Sequence, residues 1–188
     1  MSSQRKTFLT PEEYLAFERK SEVRHEYFAG EVLAMVGASR RHNIIAANII
    51  RVLGNQLLER PCNVYPSDMR VKVSATGKYT YPDVSVTCEE ELFDDDEKDT
   101  LLNPVVFIEV LSDSTEAYDR GRKFEHYRQI ESLTQYLLVS QEPHRVEQFV
   151  RQNERDWMFS AYNDAADVVN LGVIGCGLAL KDVYAKVE

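Results

Sequence analysis

Tyr81-Pro82-Asp83-Val84-Ser85-Val86 and Pro104-Val105-Val106-Phe107-Ile108-Glu109-Val110-Leu111-Ser112 are two apolar strands, each interrupted by one carboxylate. Pro82 cannot donate a ladder hydrogen bond, so it belongs at the start of its strand. Alternation then sends Val84 and Val86 to one face and Asp83 and Ser85 to the other. In the second stretch Glu109 shares a face with Phe107 and Leu111. Residues 105–111 form a nearly continuous apolar run, as in a strand covered on both sides. A carboxylate inside such a run is expensive to bury unless a cation offsets the lost hydration. Glu109 is therefore either one half of an ion pair or a metal ligand, and Asp83 needs a partner of the same kind.

The segment after the second strand predicts a helix over about 116–130. Asp119, Lys123 and Tyr127 fall at i, i+4 and i+8 and form one row, which Ile130 extends toward the core. Taken alone, Asp119 and Lys123 are an ordinary surface pair worth roughly 0.3–0.5 kcal/mol. Beside two inward carboxylates, a lysine has a catalytic use. Upstream, Ser39 caps a helix running to about residue 59, with Ala46, Ile49, Ile50, Leu53 and Leu57 as its apolar stripe. His42 lies on that face near the helix start, where the positive end of the dipole disfavours an imidazolium. It is read as a neutral histidine donating to a carboxylate or backbone, or as a functional group. Arg40 and Arg41 could contact phosphate at the helix N-terminus, but they read more simply as solvated surface. Glu26 lies in a hairpin of residues 23–28 and 31–36 turned by Ala29-Gly30. It is a third carboxylate of the site or a paired acid on the exposed face of the hairpin, the second being slightly favoured.

Thr10-Pro11-Glu12-Glu13 carries a capping box and opens a helix to about residue 20. Further strands are predicted at 63–65, 69–73, 82–87, 135–139, 145–151, 157–162 and 168–171, with a turn at Ala75-Thr76-Gly77 and a short helix at 180–186. Helices first, then largely antiparallel strands broken by one helix, give an α/β (α+β) fold: a mixed β-sheet flanked by helices. The 188 residues suit a single domain, 1–188. The longest uncharged apolar stretch, 171–180, is ten residues with three glycines, too short for a membrane span. Residues 1–6 lead into no apolar core, so no secretory signal and a cytoplasmic location are expected. Cys62, Cys88 and Cys176 are odd in number without paired spacing, and read as core thiols rather than a disulfide framework or zinc site.

The net charge is −9, and −7 of it sits in residues 89–99, leaving −2 for the other 177 residues. A nearly neutral body neither excludes a polyanionic substrate nor argues for one. The acidic segment, about 89–100, lacks the spaced ligands and glycine of a calcium loop, and is expected to be solvated and mobile.

An aspartate after proline at a strand start, followed by an apolar strand carrying glutamate, resembles the PD-(D/E)XK nuclease superfamily. More specifically, the chain resembles the Uma-two (Uma2) family of putative restriction endonucleases over most of its length. Thr10-Pro11-Glu12-Glu13-Tyr14, Glu26-Tyr27-Phe28-Ala29-Gly30-Glu31-Val32, His42, Tyr81-Pro82-Asp83-Val84, Ile108-Glu109-Val110-Leu111-Ser112 and the row Asp119, Lys123, Tyr127 match the family in order and spacing. The resemblance implies a restriction-endonuclease-like fold and a Mg²⁺-dependent endonuclease acting on DNA, with Mn²⁺ as a substitute. Asp83 and Glu109 would ligate the metal, with the carbonyl of Val110 as a further ligand. Lys123 would orient or activate the attacking water, and Glu26, His42, Asp119 and Tyr127 would support the site. The chain departs from the superfamily in one place: the lysine expected two residues after the glutamate is Leu111, and Lys123 stands 14 positions on. Gln135-Tyr136-Leu137 also lacks the tryptophan common in the family's next strand, a position read as core packing.

Two other readings stay open. One is a nuclease fold that binds nucleic acid or a protein partner without cutting. The other is an interaction protein whose carboxylates are merely ion-paired. A homodimer would let two symmetric sites cut two strands.

Overall fold

The computed structural model describes residues 8–188; the N-terminal expectation for residues 1–6 lies outside them. In chain order the elements are Pro11–Glu18 (α1), His25–Phe28 (β1), Glu31–Ala34 (β2), Arg40–Leu57 (α2), Cys62–Pro66 (β3), Arg70–Val73 (β4), Lys78–Thr80 (β5), Val84–Cys88 (β6), Thr100–Leu101 (β7) and Val106–Val110 (β8). Glu116–Tyr118 (α3), a π-helical turn at Asp119–Lys123 and Phe124–Tyr127 (α4) follow as one helical stretch. Gln135–Ser140 (β9), Arg145–Arg151 (β10), Trp157–Tyr162 (β11), Val168–Leu171 (β12), Cys176–Ala179 (β13) and Leu180–Val183 (α5) complete the chain.

The expected mixed sheet is present as six strands in the order β11-β10-β9-β8-β6-β3. β8 pairs antiparallel with β6 and parallel with β9, so the strand carrying Glu109 is central. Its two faces follow the alternation read from sequence. Val106, Ile108 and Val110 join Val84 and Val86 in a core under α2, α5 and the β12–β13 hairpin. Phe107 and Leu111 face a second core with Val71, Val73, Leu101, Tyr127 and Tyr136. This second core lies between the large sheet, the helical stretch and a five-stranded sheet ordered β2-β1-β5-β4-β7. Asp83, Ser85 and Glu109 therefore look toward the second sheet. α1, with its capping box formed by Thr10 and Glu13, covers that sheet through Tyr14, Tyr27 and Tyr79. Among the described residues, no helix is long and apolar enough to cross a membrane.

Four expectations are corrected. Cys62 and Cys88 form a disulfide, because antiparallel pairing of β3 with β6 sets them directly opposite; only Cys176 is a buried free thiol. Strand spacing of this kind cannot be read from an odd cysteine count. β5, β7 and β13 are short strands absent from the predicted set; β5 pairs with β4 and β1, β7 with β4, and β13 with β12. The helix at 116–130 is not uniformly α. The Tyr136 hydroxyl donates to the carbonyl of Asp119 at 3.0 Å, a competitor for the α-helical ladder just where the π turn sits. The acidic segment is not a freely solvated run: Asp94 binds Lys72 and Tyr79, while Asp99 binds Arg19 and Arg70.

Candidate functional site

Asp83 sits immediately before β6, where Pro82 has ended the backbone ladder. Its Oδ2 takes the place of a ladder acceptor and receives the Val110 N–H at 2.8 Å. The same oxygen lies 3.0 Å from Nε2 of His42 in the first turn of α2. A carboxylate can only accept, so Nε2 carries the proton. Ser39 caps that helix by accepting the His42 backbone N–H at 3.1 Å, which fixes the turn presenting the imidazole. The reading of His42 as a donor to a carboxylate fits this contact. Its Nδ1 is buried with no hydrogen-bond partner among the described residues.

Glu109 is 3 % exposed and Lys123 6 %. Lys123 Nζ lies 2.9 Å from Glu109 Oε1, 3.3 Å from Asp119 Oδ1 and 3.9 Å from Glu26 Oε1. Tyr127 donates its hydroxyl to Glu109 Oε1 at 2.8 Å. Burial pushes the Glu109 carboxyl up to about 8; Lys123 opposes the rise, while the charges of Asp83 and Asp119 add to it. Burial works against the Lys123 ammonium, but Glu109, Tyr127, Asp119 and Glu26 outweigh it and hold the amine well above its usual range. Burial dominates the rise at Glu109, whereas at Lys123 the surrounding acidic groups overcome burial.

Glu26 is buried, not exposed as the favoured reading of the hairpin had it. Pairing of β1 with β5 brings it onto Lys78, whose Nζ donates to Glu26 Oε2 at 2.8 Å. Thr80 donates to Glu26 Oε1, and the Tyr118 hydroxyl donates to Oε2 at 3.0 Å. Burial raises its pKa, but Lys123 and Lys78 prevail and hold it at about 2.

The fold thus brings together Glu26, Glu109, Asp119, Lys123 and Tyr127 in one contact network, and joins Asp83, Val110 and His42 in a second. Asp83 at the start of β6 and Glu109 on adjacent β8 link the two. Leu111, two residues after Glu109, is in the second core. Arg40 and Arg41 do not form a phosphate cradle: Arg41 pairs with Glu142, and both reach the Glu188 carbonyl. Lys78, Thr80 and Tyr118 were not legible as site neighbours. The available signal was a lysine and a threonine two apart beside a strand-breaking proline.

Hydrogen bonds engage Asp83 through Oδ2 and Glu109 through Oε1, leaving Oδ1 and Oε2 without such partners among the described residues. Among the described residues, no three His, Cys, Asp or Glu side chains are grouped to hold a metal ion. Two carboxylates with free oxygens fit a hard ion such as Mg²⁺, which keeps several waters and takes one or two protein carboxylates.

Residues 11–181 match the model of a family described as "Uma2: Putative restriction endonuclease". The chain belongs to the Uma2 family. Two Synechocystis relatives agree along most of its length. Uncharacterized protein slr1290 is 38 % identical over 178 residues, 94 % of this chain and 91 % of the relative. Uncharacterized protein sll1609 is 36 % identical over 152 residues, 81 % of this chain and 86 % of the relative. A crystal structure of "a putative nuclease belonging to DUF820" from Anabaena variabilis superposes with a TM-score of 0.79 at 16 % identity, covering 96 % of this chain and 99 % of that one. At that identity the match speaks for the fold alone.

Proposed function

We propose that this Uma2 chain hydrolyses DNA phosphodiester bonds with Mg²⁺, for which Mn²⁺ can substitute. Asp83 and Glu109 are the metal ligands, joined by the carbonyl of Val110, whose N–H already binds Asp83. Bound metal supplies a more acidic water and a countercharge for the phosphoryl oxygens. Lys123 would orient the attacking water and face the developing negative charge. Its contacts with Glu109 and Asp119 favour the ammonium, so it acts as a cation rather than as a base. Tyr127 fixes the Glu109 carboxylate, Asp119 holds the lysine, and His42 fixes Asp83. Two chains related by a two-fold axis would cut both strands.

The observation that carries this reading is the 2.9 Å contact between Lys123 Nζ and Glu109. It brings the helix lysine to the glutamate from 14 residues away, in the role that Leu111 cannot fill. The test is nicking of supercoiled plasmid with Mg²⁺ or Mn²⁺ by wild type, Asp83→Ala and Lys123→Ala. Metal-dependent nicking lost in both variants supports the assignment. Nicking that survives Lys123→Ala removes the lysine from its role. A second reading, a module that binds without cutting, is favoured by the closure of Lys123 and Tyr127 directly onto Glu109. It expects DNA retention by a wild type that does not nick.

A further inference from the structure

We infer that Lys78 is a positioning residue for Lys123, an inference that rests on the nuclease reading of the Asp83–Glu109 site. Lys78 lies on β5 of the five-stranded sheet, outside the two signature strands and the helical stretch. It is 2 % exposed, with no solvent to carry its charge. Its Nζ contacts Glu26 Oε2 and the Tyr118 hydroxyl, each at 2.8 Å. Tyr118 donates in turn to the same Glu26 oxygen at 3.0 Å, so this side of the carboxylate is held twice.

The other oxygen of Glu26 faces the site. It accepts from Thr80 and stands 3.9 Å from Lys123 Nζ, against 2.9 Å from that amine to Glu109. Lys123 thus stands between two buried carboxylates and is committed to one. What keeps it there is the countercharge that Glu26 already has. Take Lys78 away and Glu26 becomes a buried anion for which Lys123 is the remaining ion-pair partner among the described residues. The amine would then turn from Glu109 to Glu26, away from the place where a water must be held. A misplacement of about 1 Å is enough to cost on the order of 100-fold in rate.

A purely structural ion pair between Lys78 and Glu26 would also cost stability when one partner is removed, and would regain it when both are removed. Stability therefore cannot distinguish the two roles, and the readout must be turnover by folded protein. The variants are Lys78→Met and the double variant Lys78→Met/Glu26→Gln, assayed by plasmid nicking with Mn²⁺ far below their melting temperatures. Lys78→Met is expected to lose about tenfold or more in kcat with KM within about twofold. The double variant is expected to regain most of that loss, because the competing carboxylate is gone. A crystal structure of Lys78→Met is expected to show Lys123 Nζ in contact with Glu26 and withdrawn from Glu109. Wild-type kcat in folded Lys78→Met, or no recovery in the double variant, overturns the inference. So does a Lys123 that remains on Glu109 in that crystal structure. Should wild type nick no DNA while the amine moves as described, the nuclease reading fails and the control of Lys123 by Lys78 stands.

Discussion

Tyr127 donates its hydroxyl to Oε1 of Glu109 at 2.8 Å, the same oxygen that Lys123 contacts. The ring is fully buried and packs against Phe107 and Tyr136. Tyr127→Phe keeps that packing and removes one bond to a buried carboxyl oxygen. A loss of about 1–3 kcal/mol is expected from urea denaturation, together with a lower kcat. An unchanged midpoint would mean that Lys123 alone satisfies the carboxylate.

Binding of a divalent ion to the native state must raise the melting temperature. At about 100 times its dissociation constant, Mg²⁺ or Mn²⁺ should add about 2.7 kcal/mol to wild type. Asp83→Ala should melt at the same temperature with and without the ion. Calorimetry of both proteins checks this. A wild type indifferent to either ion argues for carboxylates that are only ion-paired.

Glu26 sets an acid limit on stability. Burial opposes its charge, but Lys123 and Lys78 hold its pKa at about 2, below the ordinary 4.5. The folded state therefore binds this proton less readily than the unfolded chain. The stabilisation is complete above about pH 4.5 and is lost as pH falls toward 2, on the order of 3 kcal/mol in all. Lys78 is lowered by burial and by repulsion from Lys123, with Glu26 opposing. Denaturation of wild type and Glu26→Gln between pH 2 and 6 should give curves that converge on acidification. Parallel curves would remove Glu26 from the ion pair.

The Cys62–Cys88 disulfide closes a loop with a sequence separation of 26. Chain-entropy arguments assign such a loop about 3–4 kcal/mol. Dithiothreitol and the double variant Cys62→Ser/Cys88→Ser should destabilise the protein by similar amounts. Reductant should leave that double variant unchanged, since Cys176 is a lone buried thiol. A wild type insensitive to reductant would place little of the β3–β6 pairing energy in this bond.

Much of the site was legible because its signals are local. Alternation around Asp83 and Glu109 gave their common face, and the four-residue step gave Asp119, Lys123 and Tyr127 as one row. That row survives the π turn, with Lys123 still 3.3 Å from Asp119. Long-range pairings were not legible. Lys78 meets Glu26 across 52 residues, and Cys62 meets Cys88 only through a strand register. The acidic segment looked like a solvated run because Arg19 and Arg70, which fasten Asp99, lie 80 and 29 positions before it. Such partners are chosen by the closing of two sheets on one another, and no window of sequence contains both.

Asp83 completes a backbone ladder with a side chain, taking the N–H of Val110 next to the strand residue that bears the other carboxylate. Its rotamer is thereby settled when β6 and β8 zip together. The spacing of the two acids is a sheet dimension, set at the pitch of hydrogen-bonded strands rather than by two independent side-chain swings. Any guest that bridges them meets a gauge already cut to length, and little conformational freedom remains to be surrendered on its arrival. Exchanging residues in the surrounding cores can soften the fold without resetting that gauge. Shifting the β6–β8 register by one residue would turn Asp83 away from Glu109 and abolish it.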